Sequence, residues 1–245
     1  MSLEDPVDIL NDSLEFLGGS PVIDAIITYG DLQLTVAAKA NTLLADHLFS
    51  PALFLAERIE RGLLQADGLN VVELGAGSAL PSLLLSTVSA PPASVVVSDY
   101  PDSGILGNLT KNVERNKHLV SPGCTVQCCG YEWGADVAPL LALSGRPDHK
   151  YDLIILSDLL HFHSSHSVLI SSMNALLAKD GQAHVAAGFI FEEIVPAEDE
   201  REWFGRSIVN GLDKTALGLR KSACRYWCMT GAEFNIARPT EQGKA

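Results

Sequence analysis

Between Val71 and Pro81 the chain reads VVELGAGSALP: a short apolar run, a carboxylate, two glycines separated by one residue, and a proline suited to a helix start. Gly75 and Gly77 allow the backbone to turn sharply and to approach a ligand closely. A nicotinamide dinucleotide site wants G-x-G-x-x-G, but the sixth position counted from Gly75 is Leu80, so that pattern fails. Glu73, directly before the turn, would disfavour a pyrophosphate and favour a ligand carrying an ammonium or a sulfonium. A second carboxylate, Asp99, follows the run SVVVS and stands 22 residues beyond Gly77. An acidic residue at about that distance accepts from ribose hydroxyls, and two such charge-assisted bonds orient a nucleoside. Glu73, Gly75, Gly77 and Asp99 together ask for a cationic nucleoside. S-adenosylmethionine is one, with both an ammonium and a sulfonium.

Strands and helices must carry these residues to one place. Val71–Leu74, Ser94–Ser98, Thr125–Cys129, Leu153–Ser157 and Ala183–Ala187 read as short apolar strands. Between them, Pro81–Val88, Ile105–Asn116 and Ser167–Leu177 read as helices, the last ended at Asp180-Gly181. Residues 43–65 predict an earlier helix, with Leu55, Ile59 and Leu63 on one face and Pro51 in its first turn. Apolar strands alternating with amphipathic helices predict a doubly wound α/β fold, a mostly parallel sheet with helices on both faces. Its ligand belongs at the carboxyl ends of the strands. Residues 1–42 form a short N-terminal extension with a hairpin turning at Gly30-Asp31. One domain follows over residues 43–236. It takes in an acidic helix from Glu192 to Trp203, a longer helix over 204–219 and a strand within SACRYWCMTGAEF. Residues 237–245 are expected to fray.

The chain has 245 residues, 47% of them apolar and 19% charged, which excludes a disordered protein. Its 17 Lys and Arg against 30 Asp and Glu give a net charge of −13, which argues against nucleic acid and for a basic protein or a cationic small molecule as partner. No apolar run approaches the ~20 residues of a membrane span, and acidic residues stand where a signal peptide needs positive charge. The five cysteines have no C-x-x-C spacing and read as free thiols, so the expected location is cytoplasmic.

Four blocks carry a resemblance to a family: ELGAGSALPSLL (73–84), VVVSDYPDSGILGNLTKNVERN (95–116), GYEWG (130–134) and YDLIILSDLLHFHSSHSVLI (151–170). The chain resembles the class I S-adenosylmethionine-dependent methyltransferases, within them the lysine methyltransferase-like family. The last three blocks are especially similar to its elongation factor 1A N-terminal and lysine methyltransferase branch. The resemblance covers about residues 40–190 and implies a seven-stranded Rossmann-like sheet and S-adenosyl-L-methionine as methyl donor. It implies that Gly75, Ala76 and Gly77 wrap the donor's methionine end and that Glu73 organises its ammonium. Asp99 would hold the ribose with Tyr100 packed beside it, and Trp133 would lie on the adenine, unless it is simply a core tryptophan. Ser157 would line the donor site, and Asp158 would face the point of transfer.

Three departures stand out. Ala79 occupies a position where the family usually has Gly. LADHLF replaces a W-G-x-x-L/V-W segment, so that Asp46 stands for a Gly and Phe49 for a donor-contacting Trp. Beyond residue 187 the branch's substrate-side pattern is not matched. His161, His163 and His166 follow Asp158 closely. Their spacing admits a metal site, yet methyl transfer needs none. One of them could take the proton that an amine must lose before attack, and His163 is the candidate so placed by sequence. Ser164, Ser165 and His166 could equally cap the helix that follows. The leading expectation is an enzyme that methylates a lysine or N-terminal amine of a protein. A small-molecule N- or O-methyltransferase, and a donor-binding protein without transfer, are the alternatives.

Overall fold

The strands of the main sheet are apolar on both sides because both of its faces are covered. The structure is a computed structural model describing residues 26–37, 45, 48–144, 150–188 and 224–230, with only the backbone of His163. Two short strands, β1 (Ile27–Tyr29) and β2 (Leu32–Leu34), form the hairpin expected at Gly30-Asp31. Then follow α1 (Ser50–Glu60), β3 (Asn70–Leu74), α2 (Leu80–Leu85), β4 (Ser94–Asp99), α3 (Ser103–Asn116), β5 (Thr125–Gly130) and α4 (Ala138–Leu143). The remainder is β6 (Tyr151–Ser157), α5 (His166–Leu176), β7 (Leu177–Gly188) and β8 (Cys224–Thr230).

The six-stranded sheet has the order β5-β4-β3-β6-β7-β8, all parallel except β8. Successive residues of each strand point to opposite sides. Val71, Val95, Val97, Leu153 and Ile155 enter one core, under α1, α2, α3 and the hairpin. Val72, Val96, Ile154 and Leu156 enter a second, under α4 and α5. The doubly wound α/β class is as expected. Six strands of the main sheet lie among the described residues where seven were expected; residues 189–223 and 231–245 are outside them.

Several boundaries differ from expectation: the first helix begins at Ser50 rather than residue 43, and the next ends at Leu85 rather than Val88. The first helix stops at Glu60 because Gly62, at φ +70°, turns the chain left-handed and closes the last turn, where the sequence pattern ran on to residue 65. The helix over 167–177 ends at Leu176 rather than at Asp180-Gly181. Leu177 is already extended, is buried in the second core and pairs with Tyr151, so β7 starts six residues before Ala183. A register shift between Tyr151 and Leu153 accommodates the intervening residues. The acidic helix and the helix over 204–219 lie outside the described residues.

The hairpin is held by side chains that sequence periodicity did not single out. Asn108, Asn112 and Asn116 recur every four residues along one face of α3, opposite β2. Asn116 accepts from the Gln33 N–H (2.9 Å) and donates to the Gln33 carbonyl (2.8 Å). Asn112 does the same for Thr35, at 2.9 and 2.7 Å, and also donates to the Ser78 carbonyl at 3.2 Å in the glycine loop. Buried backbone groups need such partners. Asn112→Ala should therefore cost about 3 kcal/mol of folding free energy, read from chemical denaturation, since a buried backbone group left unpaired costs ~1–3 kcal/mol. A loss below about 1 kcal/mol would show that water takes the amide's place.

Candidate active site

The connections leaving β3, β4, β5 and β6 converge at the carboxyl edge of the sheet, where the strand order turns back beside β3. A cavity of about 260 Å³ opens there. Such a switch point is where open α/β sheets bind ligands. Gly75, Ala76 and Gly77 supply one wall, Asp99 and Tyr100 the next, and Trp133, Ser157, Asp158 and Phe49 also line it.

The loop after β3 turns through left-handed conformations at Gly75 (φ +60°) and Gly77 (φ +54°). A Cβ on Gly75 would meet Leu159 Cδ2 at 2.7 Å and Trp133 Cζ2 at 3.3 Å, so Leu159 would have to shift, and the left-handed φ strains any other residue there. Ala79 is also left-handed, at φ 61°, which costs an L-residue roughly 1–2 kcal/mol. Its fully buried methyl group packs in the first core and offsets part of that cost, which explains how Ala can stand where Gly was expected.

Asp99 is fixed from both sides. Its Oδ2 accepts from the Gly77 N–H and its Oδ1 from the Tyr100 N–H, each at 2.7 Å. Burial raises its pKa, and these two N–H groups draw it back. Each oxygen retains a lone pair, so the carboxylate can still accept from a vicinal diol.

Glu73 is placed differently from what its position before the loop suggested. Its neighbours Val72 and Leu74 point into the second core, so by alternation Glu73 faces the other way, beneath the loop, and it is not on the cavity wall. It is fully buried; Oε2 accepts from the Ser82 N–H at 3.3 Å, and Oε1 has no hydrogen-bond partner among the described residues. Burial, against the opposing pull of Ser82, pushes its pKa up to about 8. At pH 7 it holds its proton. The carboxyl groups on the wall are instead those of Asp99, Asp158 and Glu132.

GYEWG is positioned from α5. Ser172 Oγ accepts from both Tyr131 Oη and the Gly134 N–H, each at 2.8 Å, and the Tyr131 N–H donates to the Asp99 carbonyl at 2.8 Å. Trp133 is thereby held between them, with Phe162 against it edge-on at 5.7 Å and 74°. Sequence patterning had placed Ser172 only as one residue of a helix.

Asp158 is left-handed at φ 61°, a conformation Asp tolerates better than most residues. Its N–H donates to the Ala186 carbonyl (2.8 Å), and its Oδ1 accepts from the Gly188 N–H (2.9 Å). Burial raises its pKa, while the Gly188 N–H and the nearby His161 lower it. Of the three histidines, the described geometry brings His161 to the cavity. The side chain of His163 lies outside what is described, as does Asp46. His166 donates from Nε2 to the Leu160 carbonyl at 2.8 Å, which closes the turn before α5. Ser165 stands at the N-cap, but its side chain makes no capping bond, so serine capping is not how this helix starts. Among the described residues no three His, Cys, Asp or Glu side chains are grouped to hold a metal.

A parallel sheet, a glycine turn after β3 and a carboxylate at the end of β4 define a Rossmann-like nucleoside-binding domain. The profile of the lysine methyltransferase family matches residues 31–193, two thirds of the sequence, and the chain belongs to that family. It is similar to the protein N-terminal and lysine N-methyltransferase EFM7 of Gibberella zeae, 39% identical over 54% of this chain and 52% of the relative. The Candida glabrata protein of the same name is 38% identical over 65% and 59%. The chain thus spans between half and three fifths of the length of these curated relatives. Among solved structures, an arsenic(III) S-adenosylmethionine methyltransferase from Chlamydomonas reinhardtii overlays on 56% of this chain and 44% of its own, with 20% identity and a TM-score of 0.37.

Proposed function

We propose that this chain transfers a methyl group from S-adenosyl-L-methionine to an amine of a protein, either a lysine side chain or an N-terminal amine. The observation that carries the reading is the convergence of Gly77, Asp99, Trp133 and Asp158 on one cavity at the switch point. The names of the relatives support the protein amine as acceptor.

The residues present fit the donor. Asp99 offers two fixed oxygens to a ribose diol, Trp133 and Phe49 offer flat apolar faces to a base, and the bare backbone at Gly77 leaves its side of the cavity open. The three wall carboxyls suit a ligand with two cationic groups. When bound, the donor supplies an electrophilic methyl group on sulfonium. The protein's part is to align a nucleophilic nitrogen with that methyl, to exclude water and to deal with the amine's proton. Asp158, locked by Ala186 and Gly188, is rigid enough to orient the amine. A net charge of −13 would draw a basic protein surface towards the mouth.

The test is incubation with methyl-labelled donor and two peptides, one with a free N-terminus and several lysines, the other with every amine acetylated. Label is expected in the first alone. Label in neither, from protein that binds the donor by calorimetry, would refute amine transfer.

A further inference from the structure

Ser172 lies on α5, one helical turn beyond Val168, and is 2% exposed. A serine hydroxyl has one hydrogen and two lone pairs. Here the hydrogen goes to the Val168 carbonyl at 2.9 Å, and the lone pairs accept from the Tyr131 hydroxyl and the Gly134 N–H, each at 2.8 Å. All three capacities are filled away from water, so the hydroxyl is fixed in one orientation. Tyr131 and Gly134 bracket Trp133 in the chain. Their loop is also pressed onto α5, because a Cβ on Gly134 would stand 3.1 Å from Val168 Cβ. At its start the Tyr131 N–H ties it to the Asp99 carbonyl at the end of β4. Trp133, between these ties, has its Cζ2 beside the place of a Gly75 side chain and Phe162 against it edge-on.

We infer that Ser172 is a positioning residue for the methyl donor: through Gly134 and Tyr131 it holds Trp133 on the cavity wall, ready for the donor's base. The inference rests on the reading of this cavity as the donor site, and adds to it a residue that does not line it. A loop already held in its bound shape loses little freedom when the ligand arrives, and the difference shows as affinity. Without the Ser172 oxygen the Gly134 N–H loses its acceptor, and the Tyr131 hydroxyl is left with the Ala135 carbonyl at 3.3 Å, inside the same loop. Nothing in that remaining bond ties the loop to α5. The donor itself would then have to order Trp133 on binding.

The test is a double-mutant cycle read by calorimetry with S-adenosyl-L-methionine, comparing the unaltered protein, S172A, W133A and the pair. S172A alone should weaken the donor about tenfold, the size expected for ordering a side chain and its loop on binding. In the W133A background the same substitution should change donor affinity by less than about twofold, because the residue it positions is gone. Equal losses in both backgrounds, or no loss in the first, would overturn the inference. If the unaltered protein binds no donor, the donor-site reading falls and this inference with it, whereas equal losses strike the inference alone.

A second variant reaches the loop without touching the buried hydroxyl. Gly134 is exposed, and G134A adds a methyl group that crowds Val168 and strains a backbone at φ +87°. It should lift the loop from α5 and weaken the donor by a similar factor, again only while Trp133 is present. It decides the matter if S172A fails to fold, and unchanged donor affinity in G134A would overturn the inference. Turnover gives a further check. On the lysine-containing peptide, both variants should raise the donor KM about tenfold and keep kcat at saturating donor within about twofold. A lowered kcat with KM unchanged would assign Ser172 to the chemical step instead, and would overturn its role in donor binding.

Discussion

Glu73→Gln should stabilise the ligand-free protein at neutral pH, and by more as the pH rises from 5 to 8. The folded protein holds the Glu73 proton up to about pH 8, whereas the unfolded chain releases it near 4.5. A group raised in this way contributes fully below the lower value, and its contribution is lost as the pH climbs through the upper one. Each pH unit between them costs ~1.4 kcal/mol, so the deficit at pH 7 is about 3 kcal/mol. Glutamine has the same shape and no proton to lose. Its oxygen can keep the Ser82 N–H, and its amide can donate to the Ser82 hydroxyl, which like Glu73 Oε1 has no partner among the described residues. Denaturant midpoints of the two proteins should nearly coincide at pH 4.5 and separate steadily towards pH 8. Parallel profiles across that range would mean that Glu73 is ionised in the fold and that its burial is relieved by a partner.

The second large effect is on the donor. Asp99→Ala should weaken S-adenosyl-L-methionine at least 100-fold in calorimetry, since two hydroxyl bonds to a charged acceptor are each worth ~1.5–3 kcal/mol. The loss has a structural part as well. Gly77 and Tyr100 each give a 2.7 Å N–H bond to this carboxylate, so without it the glycine turn is no longer tied to the end of β4. Comparison with S-adenosylhomocysteine separates the ribose contribution from that of the sulfonium. It has the same ribose and no sulfonium, and its affinity should fall by the same factor. Unchanged donor affinity in the Asp99 variant would remove the ribose role altogether.

These two carboxyls also mark where local pattern stops being informative. Both follow a valine-rich run, and both looked like ligands for a cationic nucleoside. Asp99 ends its strand and reaches the cavity, while Glu73 lies one residue inside its own and is carried to the opposite face by the period of two. Strand phase is thus what separates a wall residue from a buried one. That phase could be read from VVELG once Val72 and Leu74 were assigned to the second core, but their assignment needs the helices α4 and α5 in place.

The histidines give a parallel case. His161, His163 and His166 are equivalent in composition, and only the turn after β6 separates His161 from His166. His161 comes to the cavity rim, and His166 turns inward to the Leu160 carbonyl. Ser172 and the asparagines of α3 are a further kind of residue that pattern misses. They look like the polar side of a helix, and their work is to satisfy backbone groups 34 to 83 residues away.

By itself the sequence determined what depends on near neighbours: the run of strands and helices, the left-handed glycine turn after β3, the hairpin at Gly30-Asp31 and the family of the chain. Backbone conformation and strand or helix period are set within a few residues, so a single chain is enough to read them. Tertiary structure decided the charge state of Glu73, the position of His161 on the cavity wall, the rigid seat of Asp158 and the support of GYEWG by Ser172. Each of these depends on desolvation or on a hydrogen bond between distant segments, and such terms take their size only when the sheet has brought those segments together.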